Sequence, residues 1–374
     1  MILSDICKFI VDCPHSTAED EGEGIPLIRT PNIGKGRFVL EGVHRVCESV
    51  YNQRCARAIP QDDDIIFARE APAGNAAIIK NGQKVCLGQR TVLIRPDAAK
   101  VIPDYLVYYL LAPEQQYKLL GTANGATVAH VNLPTIREMK VDNLPPLPVQ
   151  RRIADILSAY DDLIENNRKQ IKLLEEAAQR LYKEWFIDLR FPGHEHTPII
   201  NGVPEGWKKT LLSNLIEIKY GKDHKGIADG NIPVYGSGGL MRKCEKTLYT
   251  GEAILIPRKG SLNNIMYVNE AFWTVDTMFY ALPKQCDVGF FVYFFLRTLD
   301  MYSLDIGSAV PSMTTSILNS LETTLPTPDW LVRFQKILYV IFSQISTLRH
   351  ENSGLMEERD RLLAKVMIHK VTVY

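Results

Sequence analysis

The sequence predicts an α+β chain: two tandem mixed α/β domains separated by two long antiparallel coiled-coil helices and related by a pseudo-twofold axis. Three observations predict it. The chain repeats itself once, a heptad seam runs unbroken through its middle, and a turn-rich joint follows that seam. A chain of 374 residues is also longer than one ordinary core and has the length for two.

The repeat has a period of about 180 to 190 residues, too long for a solenoid unit. Ile25-Pro26-Leu27 returns, at a wider offset, as Ile232-Pro233-Val234, each a short apolar piece before a Gly-bearing turn. Asp64 to Arg69 (DIIFAR) returns as Glu252 to Arg258 (EAILIPR). Both read as a buried strand that delivers a cation into a loop. The loops then carry Gly74-Asn75 in one copy and Asn263-Asn264 in the other. Tyr105 to Leu111 (YLVYYLL) matches Phe290 to Leu296 (FFVYFFL), a Tyr/Phe-rich helix in each copy. Gly125-Ala126-Thr127-Val128 matches Gly307-Ser308-Ala309-Val310, and Leu144-Pro145-Pro146 matches Leu325-Pro326 and Pro328. The boundaries follow: a first domain over 1–147, a long helix over 148–190, a second domain over 191–328 and a last helix over 329–374.

The central helix carries Ile153, Leu157, Tyr160, Ile164, Asn167, Ile171, Leu174, Ala178, Leu181 and Trp185, with gaps alternating four and three. That is a seam of a and d positions, which needs another long helix against it. About 36 residues at 1.5 Å each span roughly 54 Å. The last helix offers two seams. One is Leu338, Phe342, Ile345, Asn352, Met356, Leu363 and Val366, interrupted by Arg349 and Arg359. The other is Phe334, Leu338, Ile341, Ile345, Leu348, Asn352 and Leu355, which is cleaner and aligns the two Leu-Pro starts. Asn167 and Asn352 fall in the seams, where a polar residue costs stability and can pin register, or else merely touches solvent. Antiparallel pairing would place the domains at opposite ends of the rod, on the order of a DNA turn (~34 to 36 Å) or more apart.

Composition narrows the function. Lys plus Arg and Asp plus Glu both number 43, so bulk electrostatic wrapping of nucleic acid is excluded and any contact must come from local patches. Glu205 to Gly260 is such a stretch, with ten Lys/Arg against six Asp/Glu; its plainer reading is a solvated surface. No apolar run reaches a membrane span and the start carries no secretion signal. The seven cysteines are scattered without a C-x-x-C pair, which fits reduced thiols and a cytoplasmic location.

The stretch Leu144 to Asp188 resembles the central region of type I restriction–modification specificity subunits. The features are the Pro-Pro-x-Pro start, Gln150 and Ile153, then Asp161-Asp162-x-Ile164-x-x-Asn167, and an exit through Trp185-Phe186 and Asp188. Pro204-Glu205-Gly206-Trp207 resembles the opening of that family's second half, and the domain order matches along nearly the whole chain. The resemblance implies that each domain is a target-recognition domain reading one half of a bipartite double-stranded DNA site. It implies that the helices are a spacer docking two methyltransferase (modification) subunits, with a restriction/translocase subunit as a further partner. S-adenosylmethionine then belongs to the methyltransferase, this chain needing no cofactor, metal or catalytic residue. The last helix departs from the pattern: Asp329-Trp330-Leu331 replaces a second Pro-Gln start, with Gln335 only loosely placed.

The search for chemistry agrees. There is no P-loop, and Gly236-Ser237-Gly238-Gly239 follows an apolar run as a turn without opening a helix. Asn143-Leu144-Pro145-Pro146 differs from an amino-methyltransferase Asn-Pro-Pro by its leucine and reads as a proline stop. His194-Glu195-His196 sits in the Pro/Gly joint as an exposed loop. Asp62-Asp63-Asp64 with Glu70 lacks the close lysine of a nuclease site and reads as an acidic turn.

Arg reads guanine and Asn or Gln reads adenine in the major groove, while Lys and Arg hold phosphates. The candidates are Arg29, Asn32, Lys35, Arg37, Arg69, Asn75 and Arg90 in the first domain. In the second they are Lys222, Lys225, Arg242, Lys243, Arg258, Lys259, Asn263 and Asn264. Arg69 and Arg258 lead because equivalent strands deliver both; the competing role is an internal salt bridge that shapes the loop. Two other classes stand beside this one: a coiled-coil scaffold that binds proteins without DNA, and a metal-dependent nuclease, which lacks a complete motif.

Overall fold

A computed structural model describes residues 1–121, 130–304 and 312–367. The matched segments Gly125 to Val128 and Gly307 to Val310 lie outside the described residues. The chain divides into two compact units, Met1–Lys169 with Arg349–Tyr374, and Gln170–Leu348.

In the first unit the strands are β1 (Cys7–Asp12), β2 (Ile25–Ile28), β3 (Lys35–Gly36), β4 (Arg45–Val46), β5 (Ile65–Ala68), β6 (Ala76–Ile78), β7 (Cys86–Leu87) and β8 (Thr91–Pro96). Helix α1 (Glu48–Arg54) lies among them, and α2 (Pro103–Leu111), α3 (Pro113–Gly121) and α4 (Leu133–Arg137) follow. The main sheet has the order β1-β8-β5-β6-β3, and a small sheet has the order β4-β2-β7. The apolar run of β5 is continuous because both its faces are covered. Ile65 and Phe67 enter the core under α2, while Ile66 and Ala68 enter a second cluster with Ile28 and Ile33.

Helix α5 (Leu147–Tyr182) continues as a π turn, Lys183–Ile187. Beyond it Asn201-Gly202, both with positive φ, turn the small hairpin of β9 (Ile199–Ile200) and β10 (Val203–Pro204). The second unit then has β11 (Lys208–Leu211), β12 (Ile216–Tyr220), β13 (Asp229–Gly236), β14 (Gly239–Cys244), β15 (Tyr249–Pro257), β16 (Met266–Thr274) and β17 (Met278–Pro283). After α6 (Gly289–Thr298) and α7 (Thr315–Ser320), β18 (Glu322–Leu325) pairs with β11, and α8 (Pro328–Met367) ends the described chain.

The main sheet here has the order β12-β17-β15-β16-β13-β14. The repeat is therefore topological. The antiparallel series β1-β8-β5-β6 corresponds to β12-β17-β15-β16. Leu27 and Ile28 pair in parallel with Cys86 and Leu87, as Val234 and Tyr235 do with Trp273 and Thr274. The Ile-Pro-Leu and Ile-Pro-Val pieces thus occupy the same place in register. What differs is that β16 runs unbroken where the first unit has β6, a turn and β7.

Both long helices contribute to both units, and within each unit they run antiparallel. In the first, Ile153, Ala154 and Leu157 share a core with Leu363 and Val366, Asp161 meets Arg359, and Asn167 donates to Glu351 at 3.1 Å. In the second, Trp185 packs on Trp330 at 5.6 Å and Tyr182 on Phe334 at 6.1 Å between ring centres. On α8 the buried residues include Phe334, Leu338, Ile345, Leu348 and Asn352, then Arg359, Leu363 and Val366. The cleaner of the two expected seams is used as far as Asn352. Arg359 belongs to the seam itself, because Asp161 opposite neutralises it.

The missing Gln at the start of α8 has a substitute. Gln150 accepts from the backbone N–H of Ile102 at the start of α2. Gln335, about one turn further along α8, accepts from Phe290 at the start of α6. Each long helix therefore ties down the apolar helix of its own unit.

Candidate nucleic-acid interface

In each unit the loop after the central strand is fixed to its neighbours by the same backbone hydrogen bonds. Arg69 N–H donates to Arg90 and Arg258 N–H to Thr277, at 3.0 and 2.9 Å. The Arg69 carbonyl accepts from Val131 and the Arg258 carbonyl from Met313, again at 3.0 and 2.9 Å. An asparagine later in each loop donates to the turn after the Ile-Pro strand: Asn75 to the Ile33 carbonyl and Asn264 to the Ser237 carbonyl, both at 2.8 Å. Two loop clusters with one framework result. A rigid sheet end can aim such loops at a ligand.

The side chains within this framework differ. Arg69 is buried and pairs with Asp12, its Nη1 shared between the two carboxylate oxygens at 2.8 and 2.9 Å. It also donates to the Val131 carbonyl and contacts His130 Nε2, while His130 Nδ1 pairs with Glu70 and Glu70 with Arg90. In the second unit Tyr220 stands where Asp12 does, at the end of the first sheet strand. Arg258 lies over the Tyr220 ring, 5.6 Å from its centre, and has no ion pair among the described residues. One arginine is thus locked by a carboxylate, while the other rests on an aromatic face with its charge unneutralised.

Of the other first-unit candidates, Asn32 is buried and braces its own turn, its amide oxygen accepting from Arg29 N–H and its Nδ2 donating to Val39. Arg29 is half-buried beside it, with Nε lacking a hydrogen-bond partner among the described residues. Arg90 is exposed at the loop mouth. The structure brings Arg29, Asn32, Arg69, Asn75 and Arg90 together, since Gly88 N–H also bonds Ile28 and the Thr30 hydroxyl bonds Ala71. Lys35 and Arg37 turn elsewhere: Lys35 pairs with Asp360 on α8 and Arg37 with Asp162 on α5.

In the second unit Lys222, Arg258, Lys259, Asn263 and Asn264 are brought together. Lys222 N–H bonds Thr274, Val275 N–H bonds Tyr235, and Asn263 bonds Met301 and Asp300. Arg242 is committed to the neighbouring loop, pairing with Asp229 and bonding the His224 and Ile227 carbonyls. That loop carries Lys225. Lys222, Lys225, Lys243 and Lys259 are exposed without an ion pair among the described residues. The partners Asp12, His130 and Tyr220 were not expected from the sequence. Aligning the first strand of each copy would have found Asp12 and Tyr220; no local signal marks His130.

The acidic run is structural. Asp62 accepts from Gly82 N–H, Asp63 pairs with Lys80, and buried Asp64 pairs with Arg95. Among the described residues no cluster of His, Cys, Asp and Glu could hold a metal, and no helix is long and apolar enough to cross a membrane.

Comparison with known proteins shows the family. The family described as the type I restriction modification DNA specificity domain matches residues 1–176 and again 204–355. A specificity subunit of the MjaIX type I restriction enzyme, from Methanocaldococcus jannaschii, is 23% identical over 94% of this chain and 88% of its own. The HindI specificity subunit of Haemophilus influenzae is 27% identical over 81% of this chain and 85% of its own. The crystal structure of a type I S subunit from M. genitalium shares the fold, with a TM-score of 0.56 at 17% identity over 98% of this chain and 94% of that one.

The two matched segments and the duplicated loop framework define a DNA-recognition protein with two specificity domains. The chain belongs to the type I restriction–modification specificity subunits, and its role is target recognition without catalysis.

Proposed function

We propose that the chain reads a bipartite double-stranded DNA site, one half with each of the domains 1–147 and 191–328. The spacer helices α5 and α8 dock two methyltransferase subunits. Those subunits bind S-adenosylmethionine and methylate the site, and a restriction/translocase subunit is a further partner in the cytoplasm. The observation that carries this reading is the pair of loop clusters held by one set of backbone hydrogen bonds. Equivalent frames with different side chains suit equivalent docking on DNA with different bases read.

Within that reading Arg258, Asn263, Lys222 and Lys259 contact DNA from the second domain, and Arg29 and Arg90 from the first. Arg69, Asn32 and Asn75 hold the first loops in shape. The test is selection from a randomised duplex pool by the full chain assembled with its methyltransferase subunits, with and without S-adenosylmethionine. The expected result is salt-sensitive enrichment of a split sequence. Absence of both DNA selection and a methyltransferase complex would contradict it.

A further inference from the structure

Two opposite charges are buried where the first unit meets its own portions of the spacer helices: Asp161 on α5, 3% exposed, and Arg359 on α8, 7% exposed. The carboxylate of Asp161 takes the guanidinium of Arg359 on one oxygen and the Tyr108 hydroxyl, at 2.6 Å, on the other. Arg359 donates to the Lys35 carbonyl at 3.1 Å, and Asp360 holds the Lys35 ammonium at 3.0 Å. Arg37 adds a bond to Asp162 at 2.8 Å. Gly36, at φ +91°, lies so close that a Cβ there would meet the Asp161 carboxylate at 2.3 Å. Thus the segment that also carries Arg29 and Asn32 is bonded to both spacer helices, through Lys35 to α8 and through Arg37 to α5.

At the same two helix positions the second unit carries no charge, although exposed Arg297 bonds the Tyr293 hydroxyl. The alignment that places Ile153 on Phe334 and Leu157 on Leu338 also puts Phe342 in the place of Asp161 and Ala178 in the place of Arg359. The matched apolar helices put Tyr293 in the place of Tyr108. Tyr293 meets Phe342 edge to face, 6.0 Å between centres. An apolar junction is therefore available to this fold. A buried ion pair usually gives no more stability than an apolar replacement of similar volume; what it adds is direction. Bonds of fixed geometry to a backbone carbonyl and a hydroxyl allow one orientation, where an aromatic contact allows several.

We propose that Asp161 and Arg359 are positioning residues that fix the orientation of the first reading loops on the spacer, and so the base-pair spacing at which the first half-site is accepted. This rests on the bipartite reading above. The test uses the full chain with its methyltransferase subunits on duplexes that hold the two selected half-sites and vary the distance between them one base pair at a time. Wild type should concentrate on one spacing. The double variant Asp161→Leu/Arg359→Met should accept spacings one base pair longer and shorter, by about tenfold relative to the preferred length, with both half-site sequences unchanged. Asp161→Asn, which keeps the side-chain shape, should move the distribution the same way if the double variant does not fold. An unchanged distribution, or loss of base preference in the first half-site by a folded variant, overturns the proposal. A wild-type complex that selects no split sequence overturns the bipartite reading instead.

Discussion

Arg69 and Arg258 occupy one place in two copies of a fold and do different work. Replacing Arg69 with Ala leaves Asp12, 13% exposed, with only exposed His15 and the Cys13 N–H beside it. It should cost about 2 to 3 kcal/mol of stability, read by chemical denaturation, because a largely buried carboxylate loses its main counter-charge. Arg258→Ala removes only an aromatic contact and should cost under ~1 kcal/mol. It should instead weaken selected DNA by about 1 to 3 kcal/mol and relax one half-site. Equal stability losses in the two variants would contradict this division. The sequence made both arginines conspicuous, since each ends an equivalent apolar strand. Their partners show only when the first strands of the two copies are aligned as well, because Asp12 and Tyr220 lie at the end of a strand far off in the chain. The sequence could not show that Lys35 and Arg37, cations in a turn, face the long helices. The direction of such a side chain is set by its partner, here Asp360 for Lys35 and Asp162 for Arg37.

At the scale of elements, the long helices were the most legible part. A three–four alternation of apolar residues calls for a partner helix, and most of both seams lie where that period puts them. On α5, however, Asp161 and Tyr182 take the buried places expected for Tyr160 and Leu181, and on α8 the expected seam holds as far as Asn352. The polar members were harder to interpret. Asn167 is bonded to Glu351, whereas the buried Oδ1 of Asn352 has no hydrogen-bond partner among the described residues. Asn352→Leu should therefore raise the unfolding midpoint, by an amount corresponding to about 1 kcal/mol; a lower midpoint would mean that Asn352 is satisfied by water. The junction should also respond to pH. Burial alone would raise the Asp360 carboxyl, but the bonds from Arg359 and Lys35 outweigh it and hold it below the usual carboxylate value. A depressed folded-state pKa gives stability that is present above the unfolded value and is lost as pH falls through the folded one. Asp360→Asn should therefore flatten the fall in stability below about pH 4, modestly because the side chain is 40% exposed. An unaltered acid limb would contradict that assignment.

For the whole molecule, duplication explains why neutral net charge and DNA recognition coexist. The first unit keeps acids near its loops in internal pairs, such as Asp64 with Arg95 and Asp12 with Arg69, and the second leaves exposed cations such as Lys222 and Lys259 at its loop ends. Replacing Lys222, Lys225, Lys243 and Lys259 with Ala should lower the slope of log affinity against log salt by up to ~0.9 for each phosphate that is no longer neutralised. The measurement that tests the central claim most directly is selection of randomised duplexes by the wild-type complex and by its Arg258→Gln variant. Two domains reading two half-sites predict a split consensus in which the variant alters one half and leaves the other intact. A variant that alters both halves together, or a wild type whose consensus is a single uninterrupted block, would contradict the account.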